Sequence, residues 1–402
     1  MKKILAFIFA AALISSAAFS KNFFSQRYFE IKTGTSVDFS NNLFAFNDIM
    51  KKDLVIDLKK LADECPENGF NIRSDAEPRV EINLNIKDFH LGFASGVEMY
   101  ENLEIGKDVF DFLGHGNTIG DTMEFTFTND ADVFAFSQID VGFKVGKIKI
   151  NARPAVFRPI LSIRGGGGSM EVLNDSDGNL NVAMNLKLNV YSATELKSKG
   201  NRIEFDEKKI TAALQSGYGF DMGGGISYPF TDSFSVDASC RIPVLPGYLD
   251  HKVEIEGGFD YKVKLSEFKN SDKTDRETVV TNTKETISLH RPLKFNVYVD
   301  KNLAGNLFNA RAGGGFGIRR PYSDLAVVYP EYYFGFTLNL IDVFKLGIST
   351  QYKDQVFIHQ IGTTINVRII QLDIGVSTQA TNIMKSLAVG GMGAYAYVTM
   401  GF

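Results

Sequence analysis

The 402-residue chain has no tryptophan, two cysteines, ten prolines and five histidines. Each scarcity excludes something. Cys65 and Cys240 cannot make a disulfide framework, and no Cys/His spacing matches a zinc site. An exported compartment would permit one bridge between them, but two free thiols are the simpler expectation. Cys240 falls on the apolar face of a strand-like run, where a small hydrophobe fits. The histidines, His90, His115, His251, His290 and His359, are scattered over different runs, so no nucleophile–base pair is spelled out. Ser288 and His290 share a strand face, which any i, i+2 pair does. We expect no catalytic residue, no metal and no cofactor. With 43 basic against 47 acidic side chains and no basic stripe, nucleic acid is not an expected partner.

Long hydrophobic runs are absent beyond residue 20. Lys2 and Lys3 precede an apolar run from Ile4 to Ile14 and a small-residue site from Ala18 to Ser20. This is the layout of a secretory signal peptide over 1–20. That run is too short to span about 30 Å of hydrocarbon, and nothing later reaches the roughly 18 consecutive apolar residues of a spanning helix.

Glycine and aromatic residues are plentiful instead: 37 Gly, 34 Phe and 15 Tyr, at a mean hydropathy of -0.05. So much Phe at neutral hydropathy means that apolar and polar residues are interleaved. The chain does this with period two, the signature of strands with one apolar face. In residues 29 to 39, Phe29, Ile31, Val37 and Phe39 oppose Glu30, Lys32, Ser36 and Asp38. Runs 179 to 190 and 252 to 265 repeat the pattern. So do 79 to 87, 89 to 100, 121 to 128, 133 to 146, 147 to 158, 217 to 228 and 234 to 242. It continues over 286 to 300, 306 to 319, 331 to 341, 343 to 353, 356 to 368, 370 to 379 and 391 to 402. Many exceed the globular mode of about 5 to 6 residues and match the roughly 9 to 11 of a tilted transmembrane strand.

A soluble sandwich buries the apolar faces in a core; an outer-membrane barrel turns them to lipid and lines its lumen with the polar ones. Strand length, the leader and aromatic residues near strand ends (Phe29, Phe39, Tyr332, Phe334, Phe344, Tyr352) favour the barrel. The expected fold is all-β, a transmembrane antiparallel barrel of about 14 to 16 strands with a few short helices. Residues 21–78 would form an N-terminal strand and an amphipathic helix, and 79–402 the barrel. The final strand, GAYAYVTMGF, places Val398, Met400 and Phe402 on one face. It looks like the C-terminal signal of outer-membrane proteins read by the barrel-assembly machinery, and it would pair with the first strand.

Three stretches are helical in pattern. Residues 47 to 65 offer an N-cap at Asn47 and a stripe containing Ile49, Leu54, Leu58 and Leu61, a candidate plug for the lumen. Shorter helices follow Lys107 and Asp206. Counting alternate directions back from Phe402 puts the polar loops 164 to 178, 266 to 285 and 320 to 330 at the far end, and all three helices at the end holding Phe402. The DSDG of 175 to 178 reads as a hairpin turn rather than a calcium loop, since the terminal Glu ligand is missing. RGGGG, 164 to 168, lacks the Lys of a phosphate loop and reads as a flexible loop base. In NARPAVFRPIL, 151 to 161, Pro154 and Pro159 lack the N–H that a ladder needs. They mark either the strand's exit from the membrane or a lateral opening in the wall.

The mature chain, 21 to 402, resembles the outer-membrane barrels of spirochaetes and, through them, the long-chain fatty-acid transporter (FadL-like) superfamily. The likeness rests on FNDIMKKDLVIDLKKLAD, YGFDMGGGISYPFTDSFSVDASCRIPVLPGYL and VYPEYYFGFTLNL. It implies a plugged barrel with a kink in its wall through which apolar ligands leave sideways. The outer membrane of a diderm bacterium is the expected location, its lipid the solvent, and a small hydrophobic molecule the expected cargo. The alternative is a surface or structural barrel whose polar outer loops contact partners.

If the C-terminal strand is an assembly signal, Phe402→Asp should lower the yield of heat-modifiable, detergent-extracted barrel far more than Asn302→Asp. Equal yields on unheated gels would remove that reading.

Overall fold

A strand with one apolar face in lipid has no water to satisfy a free edge, so its backbone must be paired on both sides. The chain meets this by closing on itself. The computed structural model describes residues 27–45, 57–116, 118, 122–176, 178–199, 202–205, 216–264, 271–341 and 343–402. Among them are strands β1 (Phe29–Asn41), β2 (Phe70–Ala76), β3 (Arg79–Ile86), β4 (Phe89–Ile105), β5 (Thr122–Val145), β6 (Ile148–Asn174) and β7 (Asn179–Ser192). A small hairpin, β8 (Leu196–Lys199) and β9 (Arg202–Phe205), follows. The rest are β10 (Gly219–Thr231), β11 (Phe234–Leu245), β12 (Gly247–Lys264), β13 (Ser271–Leu289), β14 (Leu293–Leu303), β15 (Phe308–Arg319), β16 (Val327–Ile341), β17 (Phe344–Lys353), β18 (Val356–Val367), β19 (Ile370–Ala380) and β20 (Gly391–Gly401). Short helices α1 (Leu58–Glu64), α2 (Lys107–His115) and α3 (Ile383–Leu387) interrupt them.

The pairings form an antiparallel ring. It runs β1, β2 with β3, β4, β5, β6, β10, β11, then β14 through β20, and back to β1. The strand number lies in the expected range of 14 to 16. The seam is long: β1 and β20 pair from Glu30 opposite Gly401 to Ser40 opposite Gly391. Phe29 and Phe402 then exchange backbone hydrogen bonds of 3.1 and 3.0 Å. β2 and β3 are the halves of one wall strand. Pro78 interrupts it without a register slip, because Val37–Ala76 and Gly34–Arg79 continue the same ladder. This half-strand, β2, is not visible as an alternating run in the sequence.

Outward positions carry the apolar residues. Val80, Phe93, Ile139, Val145, Ile348 and Val376 are all more than 40% exposed, a band far larger than the patches soluble monomers leave uncovered. Aromatic pairs flank it: Phe29 with Phe402 and Phe89 with Phe143 at one end, Tyr332 with Tyr352 and Tyr352 with Phe357 at the other. Inward positions carry charge, tyrosine and glycine. The glycines have a packing role where a ring from the next strand lies flat across them. A Cβ on Gly34 would collide with the Tyr397 ring, and one on Gly317 with Tyr329. No described helix is long and apolar enough to cross a membrane.

Both Cys65 and Cys240 are free thiols, Cys65 buried at the rim. Several other expectations are corrected. The helices α1 and α2 lie at the far end, opposite Phe402. The sequence breaks β5 into two runs at Asp130–Asp132, but the strand passes straight through with a bulge there, and that one miscounted strand inverts everything before it. Asp57, extended at φ -78 and ψ 96, caps α1 and stops the stripe from being one helix. Ile49, Leu54 and the helix expected after Asp206 lie outside the described residues. The expected loops 164 to 178 and 266 to 285 are instead largely strand, the far half of β6 and most of β13. RGGGG is a bulge within β6, with Gly165 at φ 57. Asp175 and Gly178 make a turn: Gly178 N donates to the Asp175 carbonyl at 3.1 Å, and Asp175 Oδ1 accepts from Asn179 N at 2.8 Å.

A side chain at Gly34 would force the seam open. Gly34→Val should lower the temperature at which the heat-modifiable form is lost, by the ~1–3 kcal/mol typical of overpacking. An unchanged transition would show that Tyr397 yields freely.

Candidate functional site

Two places in the barrel join residues that the sequence keeps far apart: the far mouth of the lumen, and a branch in the wall.

At the mouth, side chains cross the lumen. Glu98 on β4 takes Arg241 Nη1 of β11 at 2.7 Å on Oε1. It also takes Arg291 on both oxygens, Nη2 at 2.7 Å and Nε at 3.1 Å. Arg291 lies in the short connection between β13 and β14, and its Nη1 donates to Asp221 of β10 at 2.8 Å. Its guanidinium also sits 4.3 Å over the Phe136 ring. These side chains are almost fully buried, Arg291 at 2%, Asp221 at 1% and Glu98 at 6%. The chain of contacts continues. Tyr100 stands beside Glu98 and faces Arg319 of β15 at 5.5 Å. Arg319 pairs with Asp354 at 2.9 Å, and the Asp354 carbonyl accepts from Arg73 of β2 at 2.8 Å. From β11 to β4, β15, the β17–β18 turn and β2, contacts span the opening. Arg320, at the head of the β15–β16 loop, reaches over to β5 and bonds Asp132 at 2.7 Å and Asp130 at 3.3 Å.

The branch lies at Pro159. Below it β6 pairs with β10, ending at Phe157 opposite Gly219. Above it β6 pairs with β7, beginning at Leu161 opposite Ser192. β7 leads to β12 and β12 to β13, so a lobe rises from the wall here. Proline stands at each place where a strand changes neighbours: Pro159 on β6, Pro246 between β11 and β12, and Pro292 between β13 and β14. A residue without an N–H is the one that can leave a ladder with no donor stranded. Inside the branch is an apolar cluster of Tyr100, Phe134, Phe136, Phe157, Tyr191, Leu249 and Leu289. Outside it are the exposed rings of Tyr218 and Tyr248. Between them Arg158, 2% exposed, donates from Nη1 to the Gly217 carbonyl at 2.9 Å and to the Tyr248 carbonyl. Gly217, at φ +74, leaves the space that this guanidinium occupies.

Pro154 sits lower in the wall. The β5–β6 ladder skips the rungs joining Ile139 and Asp140 to Pro154 and Arg153, then resumes in register. On the lumen side Asp140 bridges the gap, accepting from Arg153 Nε and Asn151 Nδ2, both at 2.8 Å.

The remaining expected residues are placed as follows. Phe402 is 74% exposed on the outer face, its ring 5.9 Å from that of Phe29. Met400 and Val398 share that face. Leu58 is exposed, while Leu61 packs with Val109 and Phe110 of α2 in a rim cluster that also holds Ala62 and Cys65. A polar cavity of about 450 Å³ opens beside that rim, between Asn71, Arg73, Glu104, Gln355 and Lys385. Among the described residues no group of acidic, His or Cys side chains is placed to hold a metal. The sequence does not foretell His359, whose ring is 3.0 Å from Thr350 Oγ1 and 2.9 Å from Ser386 Oγ. Ser386 is wholly buried and donates to the Ile383 carbonyl at 2.7 Å, so this pair pins α3 to the wall.

A known structure shares this architecture. The chain superposes on a deletion mutant of the monoaromatic hydrocarbon channel TodX with a TM-score of 0.51 and 9% identity, over 98% of this chain and 96% of that one. The TodX toluene transporter of P. putida aligns at 10% identity and a TM-score of 0.48, over 97% and 94%. The Ralstonia pickettii toluene transporter TbuX aligns at 8% and 0.43, over 94% and 89%. The likeness is one of fold. No family model matches the sequence, and no curated protein does.

Among the described residues Arg158 is the side chain that joins the Gly217 and Tyr248 carbonyls at the branch. Arg158→Ala should destabilise the barrel by ~1.5–3 kcal/mol, the worth of a charge-assisted hydrogen bond, with Arg158→Lys recovering part. Urea unfolding followed by gel mobility would show it; an unchanged midpoint would mean that the branch holds without it.

Proposed function

We propose that this chain is an outer-membrane barrel that admits small hydrophobic molecules and releases them sideways through the wall at β6. One observation carries the reading. At Pro159 an apolar cluster faces inward, two aromatic rings face outward at the far interface, and the wall between them is closed by the Arg158 guanidinium and by one backbone hydrogen bond, Tyr248 N to the Gly217 carbonyl at 2.9 Å. A polar lumen gives an apolar solute no reason to continue along it, whereas a lateral exit delivers it straight to hydrocarbon. The monoaromatic hydrocarbon channel that shares the fold supports the same class of cargo.

The rest of the reading follows from the barrel. Residues 1–20 act as the signal peptide. The face formed by Val398, Met400 and Phe402 is read by the barrel-assembly machinery before β20 pairs with β1. Lipid covers the apolar band. Leu58 and Leu61, in α1, cover the far mouth. We assign no catalytic role and no cofactor. A second reading has one observation in its favour. β5 and β6 run 24 and 27 residues, more than twice the roughly 9 to 11 that cross a bilayer, so the lobe presents a polar surface a partner could bind.

Restoring donors at the two prolines separates these readings. Pro154→Thr should regain a ladder bond of ~0.5–1.5 kcal/mol, more where no water competes, while Pro159→Thr adds a donor with no ladder partner at the branch and should lower stability. Both changes alter the β6 wall, and uptake of a toluene-like probe into cells should change with them. Unchanged uptake would leave the prolines as marks of strand exit and favour the surface-interaction barrel.

A further inference from the structure

We propose that the polar cavity at the far rim binds a phosphorylated sugar, either free or as the headgroup of a lipid. Its floor is a pair of buried asparagines. Asn42, just after β1, accepts on Oδ1 from Asn71 N of β2 at 2.8 Å and donates from Nδ2 to the Gly69 carbonyl at 2.9 Å. Each asparagine holds a cation. Lys385 Nζ of α3 donates to the Asn42 carbonyl at 2.8 Å, and Arg73 Nε to Asn71 Oδ1 at 3.1 Å. Among the described residues both cations bond only neutral acceptors. The others are the Asp354 carbonyl and Gln355 Oε1 for Arg73, and the Leu43 carbonyl for Lys385. The Asp354 carboxylate is engaged by Arg319 instead. Two positive charges therefore line this space against one acid, Glu104.

The internal bonds also fix what is left for a ligand. The amide acceptors are spent: Asn71 Oδ1 and Gln355 Oε1 on Arg73, Asn42 Oδ1 on Asn71 N, and Asn382 Oδ1 on Met384 N and Lys385 N. The donors are not. Gln355 Nε2 and Asn382 Nδ2 bond nothing among the described residues, and Arg73 and Lys385 keep protons beyond those they use. Spare donors around a net positive charge suit an anion with several oxygens, and a phosphate brings three. One acceptor stands among them. Glu104 takes Asn71 Nδ2 and Asn102 Nδ2 on Oε1, both at 3.0 Å, which leaves Oε2 for a hydroxyl. The volume, about 450 Å³, lies within the ~300–1,000 Å³ of small-molecule pockets. Gln355 is placed there against its backbone preference. It is the second residue of a two-residue hairpin turn, at φ 66, where glycine is the favoured choice. Tyr352, one of the far aromatic pairs, forms part of the wall, so the cavity opens at headgroup level.

The test uses the full chain folded in an amine-oxide detergent, free of sugar and phosphate, and titrated by calorimetry. Glucose 6-phosphate should bind saturably, inorganic phosphate more weakly and glucose not at all. Lys385→Gln should weaken glucose 6-phosphate by about tenfold or more, the worth of one charge-assisted hydrogen bond. Gln355→Gly suits the backbone of the turn, so it should fold, and it should weaken binding too. Glu104→Gln should tighten inorganic phosphate, because a like charge disappears, and narrow the preference for glucose 6-phosphate. A wild type with no saturable binding would overturn the proposal, as would undiminished binding in Lys385→Gln and Gln355→Gly. Glucose binding as tightly as its phosphate would overturn it as well. The source is read by repeating the titration in nanodiscs of phosphatidylcholine with and without lipid A, whose headgroup is a phosphorylated disaccharide. Binding lost only in the lipid A discs identifies a lipid as the occupant; binding kept in both identifies a soluble sugar phosphate. Uptake of the toluene-like probe should be unchanged in Lys385→Gln, which separates this result from the lateral route.

Discussion

Every other feature rests on the seam between β1 and β20. In lipid an unpaired backbone donor or acceptor costs several kcal/mol, so a sheet either closes or does not enter. Closure accounts for the exposed Phe402: its backbone is paired to Phe29, and its ring lies on the apolar outer face. It also explains where the wall may branch. Once the ring is closed, a strand can change neighbours only where a missing N–H leaves nothing stranded, or where another donor takes over. Pro159, Pro246 and Pro292 meet the first condition and Arg158 the second. The lobe of β7, β12 and β13 stands where the pairing rules permit one, at the level of the far interface.

Closure turns the polar face of every strand inward, and the lumen must then manage many charges. Exchanging a buried ion pair for apolar packing is often neutral in stability, whereas removing one partner costs about 3–5 kcal/mol. The value of the Glu98 cluster is therefore geometric: it ties β4 to β10, β11 and the β13–β14 connection. A barrel wall is a single layer and would flatten easily. Ties between strands that are not neighbours, such as Arg241–Glu98 and Arg320–Asp132, resist that. The glycines at 34 and 317 act in the same direction, letting Tyr397 and Tyr329 lie along the wall and brace adjacent strands.

The wall itself was legible in the sequence, because a lipid face makes apolar residues recur at every second position. β15 and β17 to β20 follow their alternating runs to within two residues, while β14 starts later than its run, at Leu293 rather than 286, and β16 earlier, at Val327 rather than 331. Legibility stops where the apolar band stops. The far half of β6 and most of β13 lie in the lobe beyond that band, where neither face needs to be apolar. A glycine-rich stretch such as 164 to 168, or a segment rich in Thr and Lys, then looks like a loop. β2 was hidden by Pro78, and the bulge in β5 changed the phase of the alternation and so reversed the side given to α1 and α2. The prolines of β6 were visible as a disturbance, but not what they do: a sequence shows the missing N–H, not that β10 lies on one side of it and β7 on the other. The mouth cluster was beyond reach for a plainer reason. Glu98 and Arg291 are separated by 193 positions, and each alone is simply a polar residue on a polar face.

The ionic cluster and the apolar cluster depend on each other. Tyr100, Phe134, Phe136 and Phe157 sit on inward positions, where a water-filled lumen would wet them and remove the benefit of packing, about 25 cal/mol for each Å² kept from water. They stay dry because Arg291 lies across Phe136 and is itself held by Glu98 and Asp221. The guanidinium serves both sides, its edge to the carboxylates and its face to the ring. A lysine there could satisfy the acids but would not cover the ring. The pairing at the mouth thus also keeps an apolar nest beside the one place where the wall changes partners, and neither feature would persist in this lumen without the other.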